Sequence, residues 1–371
     1  MADNDPRAVL AALARYPPLP AADGRVAAVG GFVRDVWLGR EPRELDLVIE
    51  GDPVAFARGL GGELVVHEPF STASASGPGW RVDVAAARSE RYPSPGALPI
   101  VARATIEEDL PRRDFTANAI AVTLEGRVIA APNAVEDLAA RTLRVFHDAS
   151  FLDDPTRIVR LERLAARLGF AIEPHTAALA AGAGVETLSG SRLGGELRLI
   201  FDEPDPLSVL SALAGRLPIT VDRRLLDVAL ELAPPDANRA MLVLGAVARD
   251  DAWLATLELS SHERALVRAV HDARVPAQTT PSALWRAWRL TPVEAVAVAG
   301  ARGDRDAARR WIEELRDVTL EIGGEDLLAA GVAQGPQIGR RLARTLTRKL
   351  DGEVAGGRDA ELADALTDEE T

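Results

Sequence analysis

The chain has 371 residues, 43 Lys and Arg against 56 Asp and Glu, a formal charge of −13, and no cysteine. Hydrophobic residues at 47% and charged residues at 27% mark a globular rather than a disordered chain, long enough for roughly two to four packed units. The missing Cys excludes a disulfide framework, a Cys-ligated zinc site, an iron–sulfur cluster and a thiol nucleophile, and the single lysine, Lys349, excludes Schiff-base or P-loop lysine chemistry elsewhere.

Residues 1–6 are acidic rather than signal-like, and no later apolar run is long enough to cross a bilayer. A soluble cytoplasmic protein with no membrane partner is expected. Val26–Val29 reads as a short apolar strand broken by Gly30-Gly31, with helical periodicity over residues 32–38 and a branched-residue strand at Leu45–Ile49. Further strands are expected at 63–66, 81–85 and 119–124, and residues 70–80, rich in Ser, Ala, Gly and Pro, read as a turn or flexible loop. From about residue 148 the texture becomes helical. Residues 157–168 form a strongly amphipathic pattern, and Pro218, Pro234-Pro235, Pro276 and Pro281 mark joints between later helices. Residues 351–371 carry eight acidic residues and one Arg, and their final turns are expected to be loose.

Three groups of residues carry chemistry. The first is Gly30-Gly31-Phe32-Val33-Arg34-Asp35 followed by Glu44-Leu45-Asp46. Glycines at a strand–helix turn let backbone N–H groups approach a phosphate, and residues 44 and 46, two apart on a strand, project both carboxylates to one face. Such a pair suits divalent cations that activate a hydroxyl and neutralise a leaving pyrophosphate. Asp83, within Val82-Asp83-Val84, offers a third carboxylate, although an exposed strand edge accounts equally for these acids. The second group, Arg112-Arg113-Asp114-Phe115-Thr116-Ala117-Asn118, joins guanidinium forks for a triphosphate to groups that bond a ribose hydroxyl. A capping cluster with surface ion pairs fits the same residues. In the third, Asp154, Arg157, Arg160 and Arg163 recur every third residue, so a carboxylate and a guanidinium on successive turns can meet a base edge. A solvated face of i,i+3 ion pairs, with Glu162 nearby, is the plainer alternative.

In this order and spacing the segments GGFVRD, ELD, RRDFTANAI and DDPTRIVRLERLAARLGF resemble the class II tRNA nucleotidyltransferase and bacterial poly(A) polymerase family, whose head belongs to the DNA polymerase β superfamily. Residues 196–210 and 324–353 also resemble its neck and tail, while residues 215–315 carry no placeable motif. The resemblance implies an α+β protein with a polymerase-β-like nucleotidyltransferase head on a mixed sheet over residues 1–145. An all-α neck with a nucleobase-recognition helix (146–215), body (216–318) and tail (319–371) would follow. It implies that Gly30, Gly31 and Arg34 bind the incoming nucleotide's phosphates, and that Glu44 and Asp46 hold a pair of Mg²⁺ ions, with Asp83 beside them. Arg112, Arg113, Asp114 and Asn118 would set the triphosphate and ribose. Asp154 and Arg157 would read the base edge, with Arg160 and Arg163 supporting them. CTP and ATP would be the substrates, the tRNA 3′ end the acceptor, and the protein itself the template.

The sequence departs from the family pattern at three places. Glu44 stands where Asp is usual, Asp153 where Glu is usual, and the hinge segment reads Ala130-Ala131-Pro132-Asn133-Ala134-Val135-Glu136-Asp137 without its paired glycines. In that family the hinge is associated with switching from C to A addition, so the resemblance implies nucleotidyl transfer that adds C and/or A. A partial enzyme adding only CC or only A, a poly(A) polymerase, and an RNA-binding protein that has lost turnover through Glu44 are the alternatives.

With an acidic chain, RNA contact needs concentrated positive charge. Arg340, Arg341, Arg344, Arg348 and Lys349 supply it on one amphipathic stretch, a phosphate-tracking face by resemblance, or a solvated helix offsetting the acidic segment beyond it. Trp253, Trp285, Trp288 and Trp311 read as core rather than base-stacking residues. His271-Asp272 has no supporting metal ligands in pattern, and phosphohydrolase chemistry is not expected.

Overall fold

The computed structural model describes residues 4–67 and 72–367, which divide into two units between Arg216 and Leu217. In the first unit α1 (Pro6–Leu13), capped by the Asp5 carboxylate, precedes a seven-stranded mixed sheet. The sheet comprises β1 (Val26–Val29), β2 (Leu45–Ile49), β3 (Glu63–His67), β4 (Thr72–Gly77) and β5 (Trp80–Ala86). After a separate antiparallel hairpin of β6 (Arg88–Arg91) and β7 (Ile100–Arg103), β8 (Ile120–Thr123) and β9 (Val128–Ala130) complete it. The order is β3-β4-β5-β2-β1-β8-β9, and every pairing is antiparallel except β2 with β5. The parallel pair needs a crossover, made by a helix after β2 and the β3–β4 hairpin.

Small apolar residues suit β1 to the sheet centre, where all four are buried between β2 and β8. Gly30 ends the strand at φ 70°, donates its N–H to Ile120 O at 3.3 Å, and opens α2 (Gly31–Trp37). A side chain there would be strained by φ and would press on Arg113 Nη1 at 3.0 Å. Helix α2 buries Phe32, Val33 and Trp37; full burial of such side chains is worth about 2 kcal/mol each. The crossover helix is α3 (Pro53–Gly59).

Residues 72–77, expected as loop, are instead strand β4. Thr, Ala, Ser and Ala alternate half-buried and buried along it, so one face of small residues packs while the other stays polar. Phe70 and Ser71, at the start of that expected loop, lie outside the described residues.

Beyond the hairpin come α4 (Ile106–Asp109), with a Thr105–Glu108 capping box, and α5 (Ala134–Ala139). A short ladder pairs β10 (Thr142–Leu143) with β11 (Ala171–Ile172) across α6 (Ser150–Asp153) and α7 (Thr156–Leu168). Helix α7 ends on Gly169 in the left-handed region and buries Ile158, Val159, Leu161, Leu164 and Leu168. The unit closes with α8 (Pro174–Gly182), α9 (Gly190–Phe201) and α10 (Pro206–Leu213).

The second unit is helical: α11 (Arg223–Leu232), α12 (Arg239–Val247), α13 (Asp251–Thr256), α14 (Ser261–His271) and α15 (Pro281–Trp288) come first. Then follow α16 (Val293–Arg302), α17 (Arg305–Arg310), α18 (Gly324–Ala329), α19 (Pro336–Leu350) and α20 (Arg358–Leu366). Trp288 and Trp311 are buried edge to face with centroids 6.1 Å apart, whereas Trp253 and Trp285 are only half-buried, Trp285 beneath the Arg289 guanidinium. Helix α20 packs on α19 through the buried Glu361 and Asp364; of the final turns expected to be loose, residues 368–371 lie outside the described residues.

Candidate active site

Asp46 on β2 and Asp83 on β5 are direct register partners in the parallel pair. Because strand side chains alternate, their neighbours Leu45, Leu47, Val82 and Val84 are buried on the opposite face. Glu44, the residue before β2, completes a triad: one carboxylate oxygen from each of Glu44, Asp46 and Asp83 lies within 4.8 Å of the others. Burial first, and then the charge of Glu44, pushes the Asp46 carboxyl up to about 7 despite Arg113 and Arg34. Burial and the Asp83 charge likewise raise Glu44. Arg81 offsets part of this, at 3.2 Å from Asp83. Three crowded, undercompensated oxygen donors fit a hard divalent cation, which would relieve the repulsion that helps raise Glu44 and Asp46. No second such group occurs among the described residues, at His271-Asp272 or elsewhere.

The glycine turn lies against this triad. A Cβ at Gly30 or Gly31 would sit 3.7 Å from Asp46 Oδ2, an ordinary contact that narrows the approach to the triad; at Gly30 the positive φ and Arg113 Nη1 at 3.0 Å also favour glycine. Arg112 and Arg113 are fixed from behind by the fully buried Asp109, at 2.8 and 3.0 Å. Burial alone would raise Asp109, but the Arg113 and Arg112 guanidiniums prevail and hold it below the usual range. Arg112 also shares Glu90 with Arg88.

Asp114 is saturated. Oδ1 accepts from the Phe115 N–H and the Asn118 amide, both at 2.9 Å, and Oδ2 accepts from Arg160 Nη2 and Nε at 2.5 and 3.0 Å. Asn118 in turn accepts from Arg34 Nη1 at 2.6 Å. A ribose hydroxyl reaches Asp114 only by displacing one of these donors.

The stripe on α7 is not a solvated face. Arg157 and Arg163 are 5% and 7% exposed, Arg157 donating to Ser150 Oγ at 2.5 Å and to Arg112 O at 2.8 Å. Pro155 caps the helix, and the Asp154 carboxylate takes three donors on Oδ1: the Thr156 N–H, the Thr156 hydroxyl and Arg192 Nη2. Its Oδ2 is left to accept from a ligand.

One cavity of about 680 Å³ gathers these groups: Gly30, Gly31, Glu44, Asp46, Asp83, Arg112, Arg113, Asp114, Asn118, Asp154, Arg157 and Arg160 all line it. Arg34 and Arg163 do not. They line a smaller cavity of about 320 Å³ that shares Glu44 and Asp46. Arg81, Tyr92, Thr156 and Arg192 also face the large cavity and were not singled out by sequence; Arg192 reaches Asp154 and Gly96 O only through the fold.

The five cations of α19 lie in the second unit. Arg344 donates to Asp364 O and Thr367 O, Arg341 to Ala365 O, Arg348 pairs with Glu353 and Asp364, and Lys349 with Glu361. Arg340 is exposed and makes no such contact among the described residues.

A mixed sheet presenting acids from adjacent strands beside a Gly-Gly turn defines a nucleotidyltransferase head of the polymerase β type. Residues 26–144 match the poly(A) polymerase head domain family. A CC-adding tRNA nucleotidyltransferase from Deinococcus radiodurans is 33% identical, over 90% of this chain and 86% of the relative. An A-adding tRNA nucleotidyltransferase from Geobacter sulfurreducens is 34% identical, over 92% of this chain but 45% of the relative. Among solved structures, an apo CCA-adding enzyme superposes with a TM-score of 0.77 at 28% identity, over 97% of this chain and 93% of that one. The CCA-adding enzyme of Thermotoga maritima complexed with tRNA gives 0.69 at 28% identity, over 92% and 90%. The chain belongs to the tRNA nucleotidyltransferase and poly(A) polymerase family. It spans about half the length of the A-adding relatives from Geobacter sulfurreducens and Halalkalibacterium halodurans and most of the CC-adding one. Among the described residues no helix is long and apolar enough to cross a membrane.

Proposed function

We propose that this chain is a template-independent nucleotidyltransferase that extends the 3′ end of tRNA with C and/or A residues taken from CTP and ATP, releasing pyrophosphate. The observation that carries this reading is the placing of the carboxylate triad, the Gly30–Gly31 turn, the Arg112–Arg113 pair and the Asp154–Arg157 pair around one cavity. Glu44, Asp46 and Asp83 would hold Mg²⁺, two ions by the two-metal logic of such sites; when bound, these lower the pKa of the attacking hydroxyl and neutralise the leaving group. Arg112 and Arg113, braced by Asp109, orient the triphosphate with forks already desolvated and fixed. The Asp154 Oδ2 acceptor and the Arg157 donors meet the amino and ring-nitrogen edge that cytosine and adenine share, rejecting bases with the reverse pattern.

The test supplies tRNAs ending before CCA, after C and after CC, with labelled CTP or ATP separately. Incorporation that requires Mg²⁺ and is lost in Asp46→Ala is the expected result, and the pattern of C or A separates a full from a partial enzyme. No incorporation on any of the three acceptors would remove tRNA extension as the activity.

A further inference from the structure

Glu203 lies in the turn after α9, its side chain 2% exposed. Its Oε1 accepts from Arg163 Nη1 at 3.1 Å and its Oε2 from Arg43 Nη2 at 2.9 Å, with Arg167 Nε 4.0 Å away. Arg167 also donates to Asp35 Oδ2 at 3.2 Å. The network therefore ties α7 and α2 to the residue directly before Glu44, across 160 positions of sequence.

The same guanidiniums stand beside the metal triad. Arg43, Arg163 and Arg167 line the 320 Å³ cavity together with Glu44 and Asp46, and the Arg167 charge already acts on Glu44. A guanidinium fork is a direct competitor of a divalent cation for a carboxylate. Without Glu203, Arg167 keeps Asp35 and Arg163 has Glu196 Oε2 3.7 Å away, whereas Arg43, its side chain 45% exposed, loses its one carboxylate partner among the described residues. The carboxylate that borders Arg43 in sequence and shares its cavity is Glu44, the exposed member of the triad.

We infer that Glu203 is a positioning residue of the metal site: by holding Arg43 it keeps that guanidinium off Glu44 and leaves the carboxylate free for the cation. The inference rests on the nucleotidyltransferase reading, but it is tested without nucleotide or RNA. Mn²⁺ is titrated into the full chain and free Mn²⁺ is followed by electron paramagnetic resonance. Glu203→Gln is expected to weaken binding about tenfold, as changes to groups one step behind a metal ligand do. Arg43→Ala added to Glu203→Gln is expected to restore most of that affinity, which a merely structural role would not do. Glu203→Asp, keeping the charge on a shorter arm, should fall between, and it carries the comparison with Arg43→Ala if the amide variant fails to fold. Wild-type affinity in Glu203→Gln, or a loss that Arg43→Ala does not repair, overturns the inference alone. Mn²⁺ binding that is unchanged in Asp46→Ala relative to wild type would instead overturn the functional reading beneath it.

Discussion

Asp46 and Asp83 are side by side on parallel strands, so their carboxylates are held together by backbone hydrogen bonds rather than by a ligand. Replacing either by Asn keeps the strand and removes a donor oxygen. We expect nucleotide incorporation to fall about 10³-fold or more, a barrier increase of roughly 4 kcal/mol, with secondary structure intact. Circular dichroism and single-turnover incorporation check this, and an Asn variant within tenfold of wild type would contradict it.

Glu44 differs from its two partners in standing outside the strands and exposed, on a segment anchored by Arg43. That freedom lets the carboxylate adjust by about a bond length. Glu44→Asp is therefore expected to keep incorporation within about tenfold of wild type, while Glu44→Ala loses roughly 10²-fold, the lower part of the range for an electrostatic group at the reacting centre. Steady-state rates across a Mg²⁺ series measure both. A large gain in Glu44→Asp would show that the native Glu handicaps the site.

Asp114 gives a pH signature of stability. Burial alone would raise its carboxyl, but the Arg160 guanidinium and the Asn118 amide hold it well below the usual carboxylate range. For an acid depressed on folding, the stabilisation is complete above the unfolded pKa near about 4 and fades as pH falls toward the folded value. Thermal midpoints measured from pH 7 to pH 3 should fall more steeply in the wild type than in Asp114→Asn, which starts lower at pH 7. Parallel curves would show that the Asp114–Arg160 pair contributes nothing to stability.

The order of the site was legible because its parts are local. A strand ending in Gly30-Gly31, an acid at alternate positions, and an Asp–Pro helix start followed by Arg157 and Arg160 each announce themselves within a few residues. Their supports were not. Asp109, Arg192 and Glu203 earn their roles from partners on other elements, and nothing in composition distinguishes them from surface charges. Strand β4 was hidden for a different reason: Thr, Ala and Ser have turn-like composition, and only pairing with β3 and β5 selects the extended form. The stripe on α7 was legible as a periodicity but not as an environment, since ion pairs on a helix look alike whether buried or solvated.

Base selection should depend on how Asp154 is held. Thr156 and Arg192 both bond Oδ1, fixing the plane of the carboxylate and the direction of Oδ2. Asp154→Ala is expected to lower kcat/KM for CTP and ATP by about 10–100-fold and to narrow their advantage over UTP and GTP, since one such edge contact is worth roughly 1–3 kcal/mol. Arg192→Ala should narrow the same discrimination by less, about threefold to tenfold, because Thr156 remains. Competition assays with paired nucleotides decide the matter. A uniform loss across all four would mean that Asp154 supports the fold of the site without reading the base.

The basic helix α19 separates two roles of charge. Arg344, Arg348 and Lys349 bond to the backbone and acids of α20, so their first effect is on packing of the second unit. The buried Glu361 makes the Lys349 pair the sharpest case, because removing the lysine leaves a carboxylate without its counter-ion. Lys349→Ala is expected to destabilise this unit by about 3 kcal/mol, lowering its thermal midpoint by several degrees. Arg340, exposed and uncommitted, should show the reverse: no change in the midpoint, but weaker tRNA binding with the log K against log salt slope reduced by about one. Fluorescence-monitored unfolding and filter binding across a salt series separate the two. If Arg340→Ala leaves the salt slope unchanged, α19 does not track the RNA backbone, and its charge serves only to hold α20 in place.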